Sequence, residues 1–446
     1  MLTNLRWPLS ILLLMLLCSV APAQKYGIYT KTLDNGLEVI VINNPIVPLV
    51  TIEIDVKNGA YTEPPEYDGL SHLYEHMFFK ANKAIPNQEK YMERIRELGA
   101  SFNGTTSDER VNYFITLPRE NLNDGLEFMY NSITSPLFLQ EELVKERPVV
   151  TGEYDRNEAN PFFHLNVAVN KKVWWKYYSR KNTIGDREVI MTTTPEKMHT
   201  IQNRYYIPNN SALILAGDIT ADDGFALAEK YYSSWPRGKD PFKEFPIPEH
   251  PPIEKTETVV VEKPVNVVGV MIVWQGPSVS KDPKATYAAD VLSYINSQET
   301  SRFTKALVES GLAYGVNFGY YTLNHTGPIT LFAQTSPDKY QDFMKAVDKE
   351  LQMMTSDDYF TDEQLKNAKT ILAIDEQYGR EKPSEYAHTV GFWWAVAGLD
   401  YYMNYIDNLD KVSREDIKNY LNTYVIGKKH VTGVLVAPDQ RAKLGL

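Results

Sequence analysis

The sequence predicts an α+β protein: two homologous mixed helix/sheet domains, related by duplication and joined by a Pro-rich linker. Mixed periodicity within each half is the first reason. Runs such as LEVIVINN, LVTIEIDVKNG and VNYFITL are β-branched or alternate apolar with polar residues, as strands require. GLSHLYEHMFFK, NQEKYMERIRELG and EELVKERPVVTGEYDRN are spaced as helices, the second ending at Gly99 as a C-cap. Internal repetition is the second reason. One offset of 222 (365 − 143) turns Leu143, Arg147, Glu153 and Pro161 into Leu365, Lys369, Asp375 and Pro383. A further pairing follows in the same order, NRYYIPNNSALILAGDIT with LNTYVIGKKHVTGVLVAPDQ, each a helix turning into an apolar strand. The third reason is a composition shift. Pro236, Pro241, Pro246, Pro248, Pro251 and Pro252 fall among charged residues, a density that disfavours helix and makes a semi-rigid connector.

Taken in order, residues 1–23 read as a signal peptide. Arg6 supplies the positive n-region, Leu9 to Leu17 the apolar core, and Ala21-Pro22-Ala23 a cleavage site before Gln24. The apolar run is shorter than the roughly 20 residues a membrane span needs, so export is expected and no span in the mature chain. The N-terminal domain then occupies 24–235, the linker 236–257 and the C-terminal domain 258–446. With 43% hydrophobic and 23% charged residues, disorder and disulfide-stapled miniproteins are excluded. A net charge of −11 argues against nucleic acid as a partner. The single cysteine, Cys18, lies in the leader, so any metal must be held by histidine and carboxylate.

His72-Leu73-Tyr74-Glu75-His76 is the sharpest chemical signal. If residues 68–80 are helical, with Asp68 as N-cap, the two histidines lie one turn apart on one face with Glu75 beside them. Such a pair can reach one zinc ion, and H-x-x-E-H is a zinc-peptidase pattern. A catalytic zinc wants three protein ligands and an open position. Glu146 and Glu153 lie seven residues apart on one helix face, and spacing alone does not choose between them. The cluster KKVWWKYY (171–178) reads as core, and His164, His199, His250, His325, His388 and His430 have no ligand-like partners in sequence.

With these residues the chain resembles the pitrilysin/insulinase family of zinc peptidases, in its bacterial, processing-peptidase-like branch. That family follows H-x-x-E-H with an E-R-x-V-V-x-x-E run; here ERPVVTGE closes on Glu153, 77 residues after His76 (153 − 76). The resemblance implies His72, His76 and Glu153 as ligands of one Zn2+ per chain. It further implies Glu75 as general base and Glu146 as the carboxylate orienting a ligand histidine. ASFNGTTSDERVNYF (100–114) is similar to the family's substrate-binding edge strand, with Asn103 and Thr106 in place and Gly104 replacing an alanine. SRFTKALVESGLAYGV (301–316) resembles the block carrying a substrate-binding Arg/Tyr pair. Tyr314 is present, but Leu307 stands at the arginine position, so Tyr314 reads first as a packing residue. The offset places Ala368 opposite Glu146 and Asp375 opposite Glu153, with no histidine pair near residue 294: the second half is a degenerate copy.

The resemblance therefore implies a zinc endopeptidase acting on peptides or unfolded polypeptide, located in the bacterial periplasm. It implies a dimer, and the absent arginine fits a heterodimer whose paralogous partner carries the Arg/Tyr pair. The alternative is a non-catalytic binding or assembly subunit.

Overall fold

The computed structural model describes residues 26–446, so the expected signal peptide lies outside the described residues. Among the described residues, eleven strands form two sheets. The first comprises β1 (Ile28–Thr32), β2 (Glu38–Asn43), β3 (Leu49–Val56), β4 (Ser101–Thr106), β5 (Val111–Pro118) and β6 (Ser211–Gly217) in the order β1-β2-β6-β3-β5-β4. The second comprises β7 (Glu257–Glu262), β8 (Val268–Gln275), β9 (Gly315–Tyr320), β10 (Pro328–Thr335) and β11 (Val431–Val436) in the order β7-β11-β8-β10-β9. Apart from β1 the two orders are the same. The strand senses match as well: β2 runs parallel to β6 as β7 does to β11, and every later pairing is antiparallel. Mixed α+β architecture, repeated, is what the sequence periodicities imply.

α1 (Leu70–Phe78), α2 (Gln88–Glu97) and α3 (Leu122–Thr134) pack on one face of the first sheet, burying Leu73, Tyr91, Leu126 and Met129 against Ile52, Ile54 and Ile115. α2 stops where expected: Gly99 follows its last turn with φ +60°, a left-handed conformation glycine adopts without strain. α4 (Gln140–Glu158) and α5 (Pro161–Val173) follow, and in the second half α6 (Pro283–Ser297), α7 (Asp362–Tyr378) and α8 (Pro383–Val396) take the corresponding places.

The halves exchange helices. α8 belongs to the second half, yet it covers the far face of the first sheet, packing Tyr386, Ala387, Val390 and Trp394 against Ile40, Ile42 and Ile214. Reciprocally, Leu165, Val169 and Val173 recur every four residues on α5 and bury against Met271, Val273, Val431 and Leu435 of the second sheet. At the α5 crossing a Cβ on Gly433 would strike Val169 and Leu165, so only glycine allows the approach. Residues 236–257 run between the halves with one short helical turn, Pro241–Glu244, capped by Asp240. Among the described residues no helix is long and apolar enough to cross a membrane.

Candidate metal centre

α1 presents Leu70, Leu73, Tyr74, Met77 and Phe78 to the core and leaves His72, Glu75 and His76 on its other face. Its N-terminus differs from the expected one. The helix starts at Leu70 after Gly69, whose φ of +89° turns the chain, and Asp68 does not cap it. Asp68 instead accepts a hydrogen bond from Asn182 Nδ2 (3.0 Å). The orphan amides are satisfied by Glu63, whose buried carboxyl accepts from Gly69 N (2.7 Å) and Ser71 N (2.5 Å). The cap comes from beyond the intervening turn, which is why local spacing missed it.

His72, His76 and Glu153 converge. His72 Nε2 lies 3.3 Å from His76 Nε2 and 3.4 Å from Glu153 Oε2, and His76 Nε2 lies 3.8 Å from the same oxygen. Zinc with N/O ligands at about 2.0–2.2 Å in tetrahedral array puts those ligands roughly 3.3–3.6 Å apart, so the donor set fits the ion. The tautomer fits too. His76 Nδ1 lies 2.8 Å from Glu146 Oε1, and a carboxylate there accepts the Nδ1 proton, leaving the Nε2 lone pair aimed at the triad. Glu146 is itself held by Lys80 Nζ at 2.5 Å. Burial pushes its carboxyl up, but the hydrogen bonds from His76 and Lys80 and the Lys80 charge outweigh it and bring the carboxyl below the usual range. Burial, with the adjacent His76, pushes His72 down to about 4 and keeps it the neutral imidazole that binds metal. His72 Nδ1 is buried without a hydrogen-bond partner. Of the two spacing alternatives, Glu153 thus faces both histidines while Glu146 touches only the far side of one.

Glu75 stands on the same helix face. Thr106 Oγ1 donates to its Oε2 (2.6 Å), and burial raises its carboxyl against that bond and the nearby His76. A Cβ on Gly104 would lie 2.9 Å from Glu75 Cγ and 3.1 Å from Asn112 O, so glycine here gives Glu75 its room. Strand alternation places Gly104 and Thr106 on the α1 side of β4 and Asn103 on the other. The structure therefore brings Thr106 to Glu75 but not Asn103. Beside the triad opens a cavity of about 370 Å³ lined by His72, Thr106 and Glu153 together with Phe163, Tyr178 and Lys181. The aromatic cluster expected as core is divided: Trp174 is buried, Trp175 is exposed, and Tyr178 lines this cavity.

The second half repeats the geometry without the chemistry. Tyr294, 222 residues after His72 (294 − 72), donates its hydroxyl to Asp375 Oδ2 at 2.8 Å, as His72 meets Glu153. Ala368, opposite Glu146, is buried. Leu307 is fully buried in the second core. Tyr314 is 68% exposed, which is not the burial of a packing residue, and it does not line the cavity beside the triad. Sequence reasoning missed Glu63 and Lys80. Lys80 lies four residues after His76, just past the end of α1, and that spacing was the available signal.

Comparison with known proteins bears on this arrangement. Residues 38–186 match the family model described as insulinase (peptidase family M16), and residues 192–372 match the peptidase M16 inactive domain. An uncharacterized zinc protease of Rickettsia felis is 26% identical over 415 residues, spanning 91% of this chain and 97% of that protein. Among solved structures, a protease from Helicobacter pylori superposes with a TM-score of 0.81 at 21% identity, covering 92% of this chain and 99% of its own. The first half of the periplasmic protease PqqL from Escherichia coli gives 0.75 at 18% identity, covering 95% and 94%. Two consecutive models of one family, matching residues 38–186 and 192–372, leave one conclusion: the chain belongs to the pitrilysin/insulinase family, peptidase family M16.

Proposed function

We propose that the chain is a zinc-dependent endopeptidase hydrolysing peptides or unfolded polypeptide segments. The observation carrying this reading is the convergence of His72, His76 and Glu153 with Glu75 on the same helix face. On this reading the triad holds one zinc ion per chain, and Glu146 fixes the tautomer and orientation of His76. A bound zinc supplies Lewis acidity, polarising the scissile carbonyl and easing attack by water near neutral pH. Glu75 accepts the proton of the attacking water and returns it to the leaving amine. Thr106 engages Glu75 Oε2, which leaves Oε1 free for that water. β4 ends its sheet, so an extended peptide can add to it through main-chain hydrogen bonds, with Asn103 and Tyr314 as further contacts.

Three assignments accompany the reading. The leader motif supports export, to the bacterial periplasm. The domains are 24–235 and 258–446, with 236–257 as linker. Leu307 in place of an arginine supports a dimer, and specifically a heterodimer with a paralogue supplying the Arg/Tyr pair.

The test is cleavage of a quenched, unstructured peptide by the purified chain. Glu75→Gln should retain zinc but lose about 10²-fold or more in kcat. Chelation should abolish cleavage and zinc should restore it. Near-wild-type turnover by Glu75→Gln would overturn the assigned chemistry. A zinc-loaded chain that binds peptide but cleaves only with a paralogue added would establish the heterodimer; one that never cleaves would favour the binding-subunit alternative.

A further inference from the structure

The first sheet carries charge where a core is expected. Glu53 and Asp55 on β3 are both 0% exposed, on the face that α8 covers. Asp55 lies against α8 so closely that a Cβ on Gly391 would fall on its carboxyl. Each oxygen of Glu53 has a donor. His388 of α8 gives Nδ1 to Glu53 Oε2 (2.5 Å), and Asn112 of β5 gives Nδ2 to Oε1 (2.5 Å). With its amide nitrogen so committed, Asn112 turns Oδ1 to Thr105, whose hydroxyl donates to it. Each orientation fixes the next, from α8 to β4. A second path is parallel: Arg110 donates to the carbonyl of His388 (2.8 Å) and reaches Thr105 Oγ1 at 3.5 Å.

A separate contact grips the other end of the same hairpin. Glu109, between β4 and β5, is 2% exposed and accepts from the backbone of Asn324 (2.5 Å) and His325 (2.9 Å) in the second half. The His325 ring lies 2.9 Å from the same carboxylate. The β4–β5 hairpin is therefore held by the second half at its tip and on its α8 face. Its opposite face carries Thr106, bonded to Glu75.

We propose that the second half serves as the positioning element for β4: His388 and the Asn324–His325 backbone set the register and height of the strand that receives substrate. His388 and Thr105 are positioning residues; neither touches the triad. The proposal rests on the peptidase reading for the role of β4, and it explains what a metal-free half does in such an enzyme. β4 pairs along its length with β5 but has no main-chain partner on its other edge, so side-chain contacts from the second half add to what β5 alone supplies.

The experiment pairs hydrogen exchange with kinetics on the full mature chain. His388→Ala should speed exchange of the 101–106 amides by about fivefold, the net worth of one hydrogen bond, and leave α1 and α4 unchanged. His388→Asn, whose Nδ2 replaces Nδ1 as donor, should restore protection. Thr105→Val cuts the network at its exposed end without touching the core, and it should reproduce the effect. In peptide cleavage each variant should raise KM by about fivefold with kcat within twofold, and the double variant should be no worse than either single. Unchanged exchange over 101–106, additive effects, or failure of His388→Asn to rescue would overturn the proposal. If the wild-type chain cleaves nothing even with a paralogue added, the peptidase reading falls alone, because exchange still decides whether α8 holds β4. Changed exchange with unchanged KM would show that peptide does not use this strand, and the proposal would fall.

Discussion

Leu165 belongs to the first half of the chain, but the exchanged helix makes it a core residue of the second. It is 0% exposed and packs with Val169 and Val173 onto Val431 and Leu435. Leu165→Ala removes three carbons, worth roughly 2–2.5 kcal/mol at about 0.8 kcal/mol per buried CH2. The cavity adds to this, because the facing residue is Gly433, which has no side chain to move into the gap. The total should be about 3–5 kcal/mol. The location of the damage is the sharper test. Urea denaturation followed by hydrogen exchange should show β11 and β8 losing protection first, while β5 and β6 keep theirs. A loss confined to the first sheet, or a destabilisation under about 1 kcal/mol, would refute the claim that α5 works in the second core.

Three other perturbations give separate readouts. Glu146→Gln removes the carboxylate bonded to His76 and Lys80, and it should weaken zinc affinity by about 10–100-fold, measured by competition with a chromophoric chelator. Thr106→Val frees Glu75 Oε2 and should lower kcat by about tenfold with zinc content unchanged in metal analysis, the cost of one charge-assisted hydrogen bond. Asp290 on α6 accepts from Tyr405 Oη at 2.8 Å, and burial pushes its carboxyl up from 3.8 to about 7. Its folded value lies above its unfolded one, so its stabilising effect is complete below pH 3.8 and is lost as pH rises through 7. Asp290→Asn keeps an acceptor for Tyr405 and should gain on wild type with rising pH, by on the order of 2–4 kcal/mol at pH 8 in urea titrations. A gap independent of pH would count against the buried carboxyl.

The H-x-x-E-H part of the candidate metal centre was legible because it is local: His72, Glu75 and His76 share two helical turns. Glu153, on α4 and 77 residues past His76 (153 − 76), was reached only through the family resemblance. Glu146 and Glu153 could not be told apart by helical period, since both project from the same face; only the distances to α1 separate them. The duplication was legible for the same reason, and its constant offset ends in the contact of Tyr294 with Asp375. What escaped was every contact between the halves. Glu53 and Asp55 alternate with Ile52 and Ile54, the pattern of a strand with one solvated face. That face is dry only because α8, more than 300 residues on (383 − 55 = 328), lies over it. His388 and His325 looked solitary in sequence because their partners, Glu53 and Glu109, are in the other half.

The contact between Tyr294 and Asp375 also says something about reversibility. Restoring histidines at 294 and 298 would not rebuild a metal site. Gln298, just past the end of α6, donates its side-chain amide to Tyr294 O (3.2 Å) and Gln364 O (2.9 Å), so a histidine there would give up both bonds. The Tyr294 hydroxyl already satisfies Asp375, and Ala368 offers no carboxylate to orient a histidine. Several changes would have to arrive together before any of them bound metal, so no single substitution leads from the Tyr294–Asp375 contact to a metal site. Tyr294→His should add no zinc to the content of the chain in metal analysis.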